Sequence, residues 1–80
     1  MTVTIRLFAA ARDAFGFEKK SVDLEQPTID AVRSSLLNEH PTAERLLKVC
    51  RIAVNMEYAN DAITLKDGDE IAVIPPVSGG

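Results

Sequence analysis

The residues best suited to chemistry in this sequence are the last six, Pro75, Pro76, Val77, Ser78, Gly79 and Gly80. None has a charged side chain, so the reactive group they offer is the terminal carboxylate of Gly80. A free terminal carboxyl has a pKa of about 3.3 to 3.7, which makes it an anion and a poor electrophile at neutral pH. Joining it to AMP would supply a leaving group. A sulfur donor would then convert the end to a thiocarboxylate, a soft nucleophile able to deliver sulfide. Gly79 and Gly80 lack a Cβ, so they can pass through a narrow channel and leave the carboxyl carbon open to attack. Pro75 and Pro76 have no backbone donor and favour a polyproline conformation, so they stop a sheet ladder and direct the chain outward. Extended, this tail reaches at most about 20 Å, far enough to enter another protein's active site. The plain alternative is a disordered end of small residues. The tail is preferred as a device because a proline pair at a sheet exit and a final glycine pair coincide with the order of elements described below.

Other residues with chemical potential have simpler readings. Cys50 is the only cysteine, which excludes an internal disulfide and a cysteine metal cluster. With Val49 and Ile52 nearby it reads as core filler rather than a reactive thiol. His40 stands beside Pro41 with no second histidine to share a metal, and is expected to cap a helix end. No metal site is expected. Asp67-Gly68-Asp69-Glu70 lacks the twelve-residue spacing of a calcium loop and reads as a turn. Arg12 is balanced between a solvated charge and a partner contact. Phe15 and Phe17 are expected in the core.

The elements that position the tail follow from periodicity. From Thr2 to Phe8, Val3, Ile5 and Leu7 alternate with Thr2, Thr4 and Arg6, which predicts a half-buried strand. Ala9 to Gly16 suits a short helical turn closing on glycine. Alternation returns from Glu18 to Leu24, and the two strands are expected to pair as a hairpin across a short connection. Pro27 breaks the run, Thr28 is an N-cap candidate, and Ile29, Val32, Leu36 and Leu37 form a helical stripe that Pro41 ends near His40. Thr42 to Val49 predicts a further short helix, with Leu46 and Leu47 inward. Ile52 to Val54 reads as a strand, Asn55 to Asn60 as a turn or short edge pair, and Ile63 to Leu65 as another short extended piece. Gly68 marks a turn before a last strand, Glu70 to Ile74. There Ile71 and Val73 face the helix while Ala72 and Ile74 face the other way, so that side is either covered or docks a partner. The order predicts an α+β domain of the β-grasp kind over residues 1–74, with one main helix across a mixed sheet and a flexible tail over residues 75–80.

Composition excludes several classes. A chain of 80 residues buries about two-thirds of its unfolded surface and has room for one core. A net charge of -3 argues against nucleic acid as a partner. No apolar stretch approaches the ~20 residues of a membrane span and no signal peptide is visible, so the expected compartment is the cytoplasm.

Leu7-Phe8-Ala9 followed by Arg12-Asp13, then Asp67-Gly68-Asp69-Glu70, then Pro75-Pro76-Val77-Ser78-Gly79-Gly80 resemble the small subunit of molybdopterin synthase, end to end. This resemblance implies a ubiquitin-like sulfur carrier, not an enzyme by itself, that binds no cofactor of its own. Gly80 would be adenylated by an activating enzyme related to ubiquitin activators, using ATP, and converted to a thiocarboxylate by a sulfur donor protein. The tail, Pro75 to Gly79 leading Gly80, would enter the large catalytic subunit and supply sulfur to cyclic pyranopterin monophosphate, within a heterotetramer of two small and two large subunits. The resemblance also places Arg12 near the activating-enzyme contact, matches Phe8 to an aromatic ending the first strand, and puts Tyr58 and Ile74 at apolar partner contacts. The family often has an aromatic where this chain has Ile74. Alternatives are a carrier for thiamine thiazole or cysteine synthesis, a ubiquitin-like modifier joined to lysines through Gly80, and a plain interaction module.

Overall fold

The computed structural model describes residues 1–60 and 62–76. Strand β1 (Thr2–Leu7) leads into helix α1 (Ala9–Phe15), strand β2 (Lys19–Asp23) and helix α2 (Ile29–Glu39). A 3-10 turn (Pro41–Ala43) and helix α3 (Glu44–Val49) follow, then strands β3 (Arg51–Val54), β4 (Glu57–Tyr58) and β5 (Glu70–Ile74). The strands lie in the order β2-β1-β5-β3-β4. β5 runs parallel to β1, and the β1–β2, β3–β5 and β3–β4 pairs are antiparallel. This is the mixed sheet of a β-grasp, with α2 the longest helix across it.

The alternation in β1 decides which face is dry. Val3, Ile5 and Leu7 are buried while Thr4 and Arg6 are only half-buried. Ile5 and Leu7 stand in register with Ile71 and Val73 of β5, and Val73 and Ile71 with Ile52 and Val54 of β3. That inner face joins Ile29, Val32 and Leu36 of α2, Phe15 of α1 and Leu47 of α3 in one core. Leu37 and Leu46, expected to point inward, are only partly buried at its margin.

Capping fixes the helix ends. The Thr28 hydroxyl oxygen accepts from the Ala31 N–H at 3.1 Å, and Asp30 lies in the first turn of α2. At the other end the His40 N–H donates to the Leu36 carbonyl, but its side chain makes no capping bond. The ring instead meets Phe15 edge to face, with centroids 5.6 Å apart. The α1 helix closes on Gly16, whose φ of 81° is open to a residue without Cβ.

Several boundaries differ from the sequence expectation. The connection between β1 and β2 is the expected helical turn, α1, ending on a left-handed Gly16, and the two strands pair antiparallel across it; the later boundaries are the ones that move. Pro41 starts a 3-10 turn, so α3 begins at Glu44 rather than Thr42. Ile63 to Leu65 form no strand. Leu65 is buried and its N–H donates to the Pro27 carbonyl at 2.8 Å, whereas Ile63 turns back on Asn60. One such bond is an anchor for a loop, not a ladder. No helix among the described residues is long and apolar enough to cross a membrane.

Candidate functional site

The second face of the sheet carries the site. Arg6, Ala72, Ala53 and Tyr58 are register partners in turn across β1, β5, β3 and β4. The two central strands thus contribute alanines while the flanking strands contribute long side chains, and the result is a trough. It has a volume of about 310 Å³ and is lined by Arg6, Phe8, Ala53, Met56, Tyr58, Glu70, Ala72 and Ile74. Ala53 is only 4% exposed although it faces away from the core, because its larger neighbours overhang it. Phe8, Met56 and Tyr58 are exposed, at 40%, 92% and 66%. An isolated exposed apolar residue needs no explanation, but these converge on one depression.

Charge sits at the rim. The Arg6 guanidinium lies 5.5 Å from the Phe8 ring centroid and donates to Glu70 Oε1 at 3.3 Å. On the opposite side the Arg51 guanidinium lies 5.0 Å from the Tyr58 centroid. Both aromatic rings are therefore held with one face against a cation and the rest of the ring toward solvent or the trough.

The end of the trough is fixed by the β3–β4 loop. Asn55 and Met56 both have positive φ, 51° and 72°, the pattern of a two-residue type I′ hairpin. Asn55 is tied three ways to Asp69 and Glu70 at the start of β5. Its N–H donates to the Glu70 carbonyl at 2.8 Å, its Nδ2 donates to Asp69 Oδ1 at 2.9 Å, and its Oδ1 accepts from the Glu70 N–H at 3.0 Å. Asp69 also accepts from the Lys66 N–H at 2.8 Å. The Lys66 bond first, and the Asn55 bond second, hold the Asp69 carboxyl below the usual range.

Of the residues singled out in the sequence, Phe8, Tyr58 and Ile74 line the trough together. Arg12 does not; it is exposed on α1, and its carbonyl accepts the Gly16 N–H at the helix end. Pro75 and Pro76 follow β5 outside any regular element. Val77, Ser78, Gly79 and Gly80, the other expected tail residues, lie outside the described residues. Cys50 is 7% exposed, its Sγ donates to the Leu46 carbonyl at 3.1 Å, and burial pushes its thiol pKa up, which opposes nucleophilic use. Among the described residues there is no group of three potential metal ligands.

Sequence reasoning missed Arg6, Arg51, Ala53 and Met56 as parts of this surface. Ala53 and Met56 became legible only with the pairing of β3 and β4. The one available signal was Asn55, a residue that tolerates positive φ before a two-residue strand.

The trough thus lies beside the end of the last strand of a β-grasp body. The ThiS family model matches residues 5–80. The chain belongs to the ThiS family. Within it, this chain is 34% identical over 83 aligned positions to the molybdopterin synthase sulfur carrier subunit of Chlamydomonas reinhardtii, covering 100% of both. Among solved structures, SAMP1 from Haloferax volcanii superimposes with a TM-score of 0.87 at 28% identity, covering 100% of both chains. A chain of the complex of subunits 1 and 2 of molybdopterin-converting factor from Helicobacter pylori gives a TM-score of 0.71 at 32% identity, again over 100% of both. The ThiS family chain shares the ubiquitin-like β-grasp with these relatives.

Proposed function

We propose that this chain is the sulfur carrier subunit of a molybdopterin synthase, with Gly80 as the carrier residue. The observation that carries this reading is the similarity to sulfur carrier subunits over the whole length of both chains. In the proposed cycle a ubiquitin-activating-like adenylyltransferase uses ATP to join the Gly80 carboxylate to AMP, releasing pyrophosphate. A sulfur donor protein then delivers sulfur at the sulfide level, which attacks the acyl carbon, forms the C–S bond and expels AMP, leaving a thiocarboxylate. The tail, from Pro75 to Gly80, enters the active site of the large subunit, where sulfur passes to cyclic pyranopterin monophosphate. Catalytic residues belong to the large subunit, this chain binds no cofactor itself, and two copies of each subunit assemble as a heterotetramer in the cytoplasm.

The trough supports this division of labour. A slim Gly-Gly end offers few atoms for binding and costs ordering entropy, so affinity has to come from the body. Phe8, Tyr58 and Ile74 present apolar surface beside the point where β5 ends. Burying each contributes about 1.5–3 kcal/mol before the costs of association. The related Helicobacter pylori structure is a complex of two subunits, which favours docking of a large subunit here. Arg12, on α1 and away from the trough, is proposed to touch the activating enzyme instead.

The test is to incubate the protein with a competent activating enzyme, ATP and a sulfur donor, and then add large subunit and pterin substrate. Intact mass should show one oxygen exchanged for sulfur at the terminus, followed by product formation. Failure of the exchange with an enzyme verified on another carrier would reject the reading. The likeness to SAMP1, a small archaeal modifier protein, favours a second reading as a protein modifier. Isopeptide adducts ending in Gly80 in cell extracts would support that one.

A further inference from the structure

Met56 is an outlier that the fold does not require. Its φ of 72° lies in the left-handed region, where a side chain with a Cβ is disfavoured, and glycine would make the same turn without strain. Its side chain is 92% exposed, so it gives the core nothing in return. Yet it lines the end of the trough, and the three Asn55 bonds to Asp69 and Glu70 hold its backbone in place. Strain that persists without serving the fold is a reason to look for function. An unbranched thioether on a rigid turn is also a good anchor, because it adapts to an apolar pocket while its backbone is already ordered.

We propose that Met56 is an affinity anchor of the docking face, inserted into an apolar pocket of the large subunit and retained at the expense of fold stability. This rests on the proposed sulfur-carrier reading, which supplies the large subunit as the occupant. It extends that surface from the sheet onto the β3–β4 hairpin.

The experiment measures binding of the full chain to the large subunit, together with thermal melting, for wild type, Met56→Gly and Met56→Leu. Met56→Gly is expected to melt at the same temperature or up to about 4–8 °C higher as the left-handed strain is relieved, and to bind at least ~5-fold more weakly. Met56→Leu, which keeps the strain and an apolar side chain, is expected to retain affinity within about threefold, as volume-conserving swaps do. Unchanged affinity in Met56→Gly, with wild type binding normally, would overturn the anchor and leave the carrier reading standing. A Met56→Gly melting temperature lowered by more than about 4–8 °C, beyond what glycine's added freedom in the unfolded chain accounts for, would also overturn it, because the side chain would then serve the fold. If wild type itself does not bind the large subunit, the carrier reading falls and takes the anchor with it.

Discussion

Asn55 shows how one side chain sets the geometry of a surface it does not itself line. Its amide spans from the β3–β4 turn to the start of β5, donating to Asp69 and accepting from Glu70, while its own φ of 51° is one that asparagine tolerates better than most residues. Replacing it with alanine removes both side-chain bonds and leaves a Cβ in the left-handed region without compensation. Asn55→Ala should lower unfolding free energy by about 1–3 kcal/mol in urea titration, with the slope unchanged. Asn55→Gly should recover part of the loss, because it keeps the φ without strain. A loss confined to the slope would mean the change acts on the unfolded chain instead. The same bonds explain why Asn55 was hard to read in advance: an asparagine before a short edge strand signals a turn, but its partners are fourteen and fifteen residues away.

Among the elements, α2 is the one whose position decides the core. Ile29 and Val32 are fully buried beneath it, and its start depends on the Thr28 hydroxyl accepting the Ala31 N–H. Thr28→Ala should cost about 0.5–2 kcal/mol, while Thr28→Ser keeps the acceptor and most of the stability. For a domain of this size each kcal/mol moves the melting temperature by roughly 4–8 °C, so the pair is readily separated by thermal denaturation. Cap and stripe were both legible because they are local signals, three or four residues apart. Ile63 to Leu65 show the limit of such signals. An apolar pair around Thr64 looks extended, but a strand exists only where a neighbour completes the ladder, and here a single bond from Leu65 to Pro27 takes its place.

At the scale of the whole molecule, stability should depend on pH at both ends. The Lys20 ammonium, hydrogen-bonded to both Glu39 oxygens at 2.9 and 3.0 Å, holds Glu39 below its usual pKa, and the Lys66 N–H and Asn55 do the same for Asp69. For such groups the unfolded chain takes up protons first as pH falls. Their contribution is full above the ordinary carboxylate range and is lost as pH drops through the lowered folded values. Cys50 works in the opposite sense: burial raises its thiol, the unfolded chain loses that proton first, and stability declines as pH rises above about 8.5. A plateau between about pH 5 and 8 is expected, with a shallow acid limb, since both carboxylates are exposed to screening solvent. Denaturation midpoints across pH check this. A Cys50→Ala variant should flatten the alkaline limb, and an unchanged limb would assign it to other groups.

By itself the sequence determined which face of β1 and of β5 is apolar, where α2 starts, and that β5 precedes a proline pair. Those are properties of residues a few positions apart, where period and capping act directly. The tertiary structure decided what the second face of the sheet became. Ala53 and Ala72 form the floor of a trough only because β3 and β5 pair at that register, and Phe8 and Tyr58 become its walls only because β1 and β4 lie on opposite sides of those two strands. A surface assembled from residues up to sixty-eight positions apart in the chain, Arg6 to Ile74, depends on strand order and register, and the register is fixed by the burial of the opposite face.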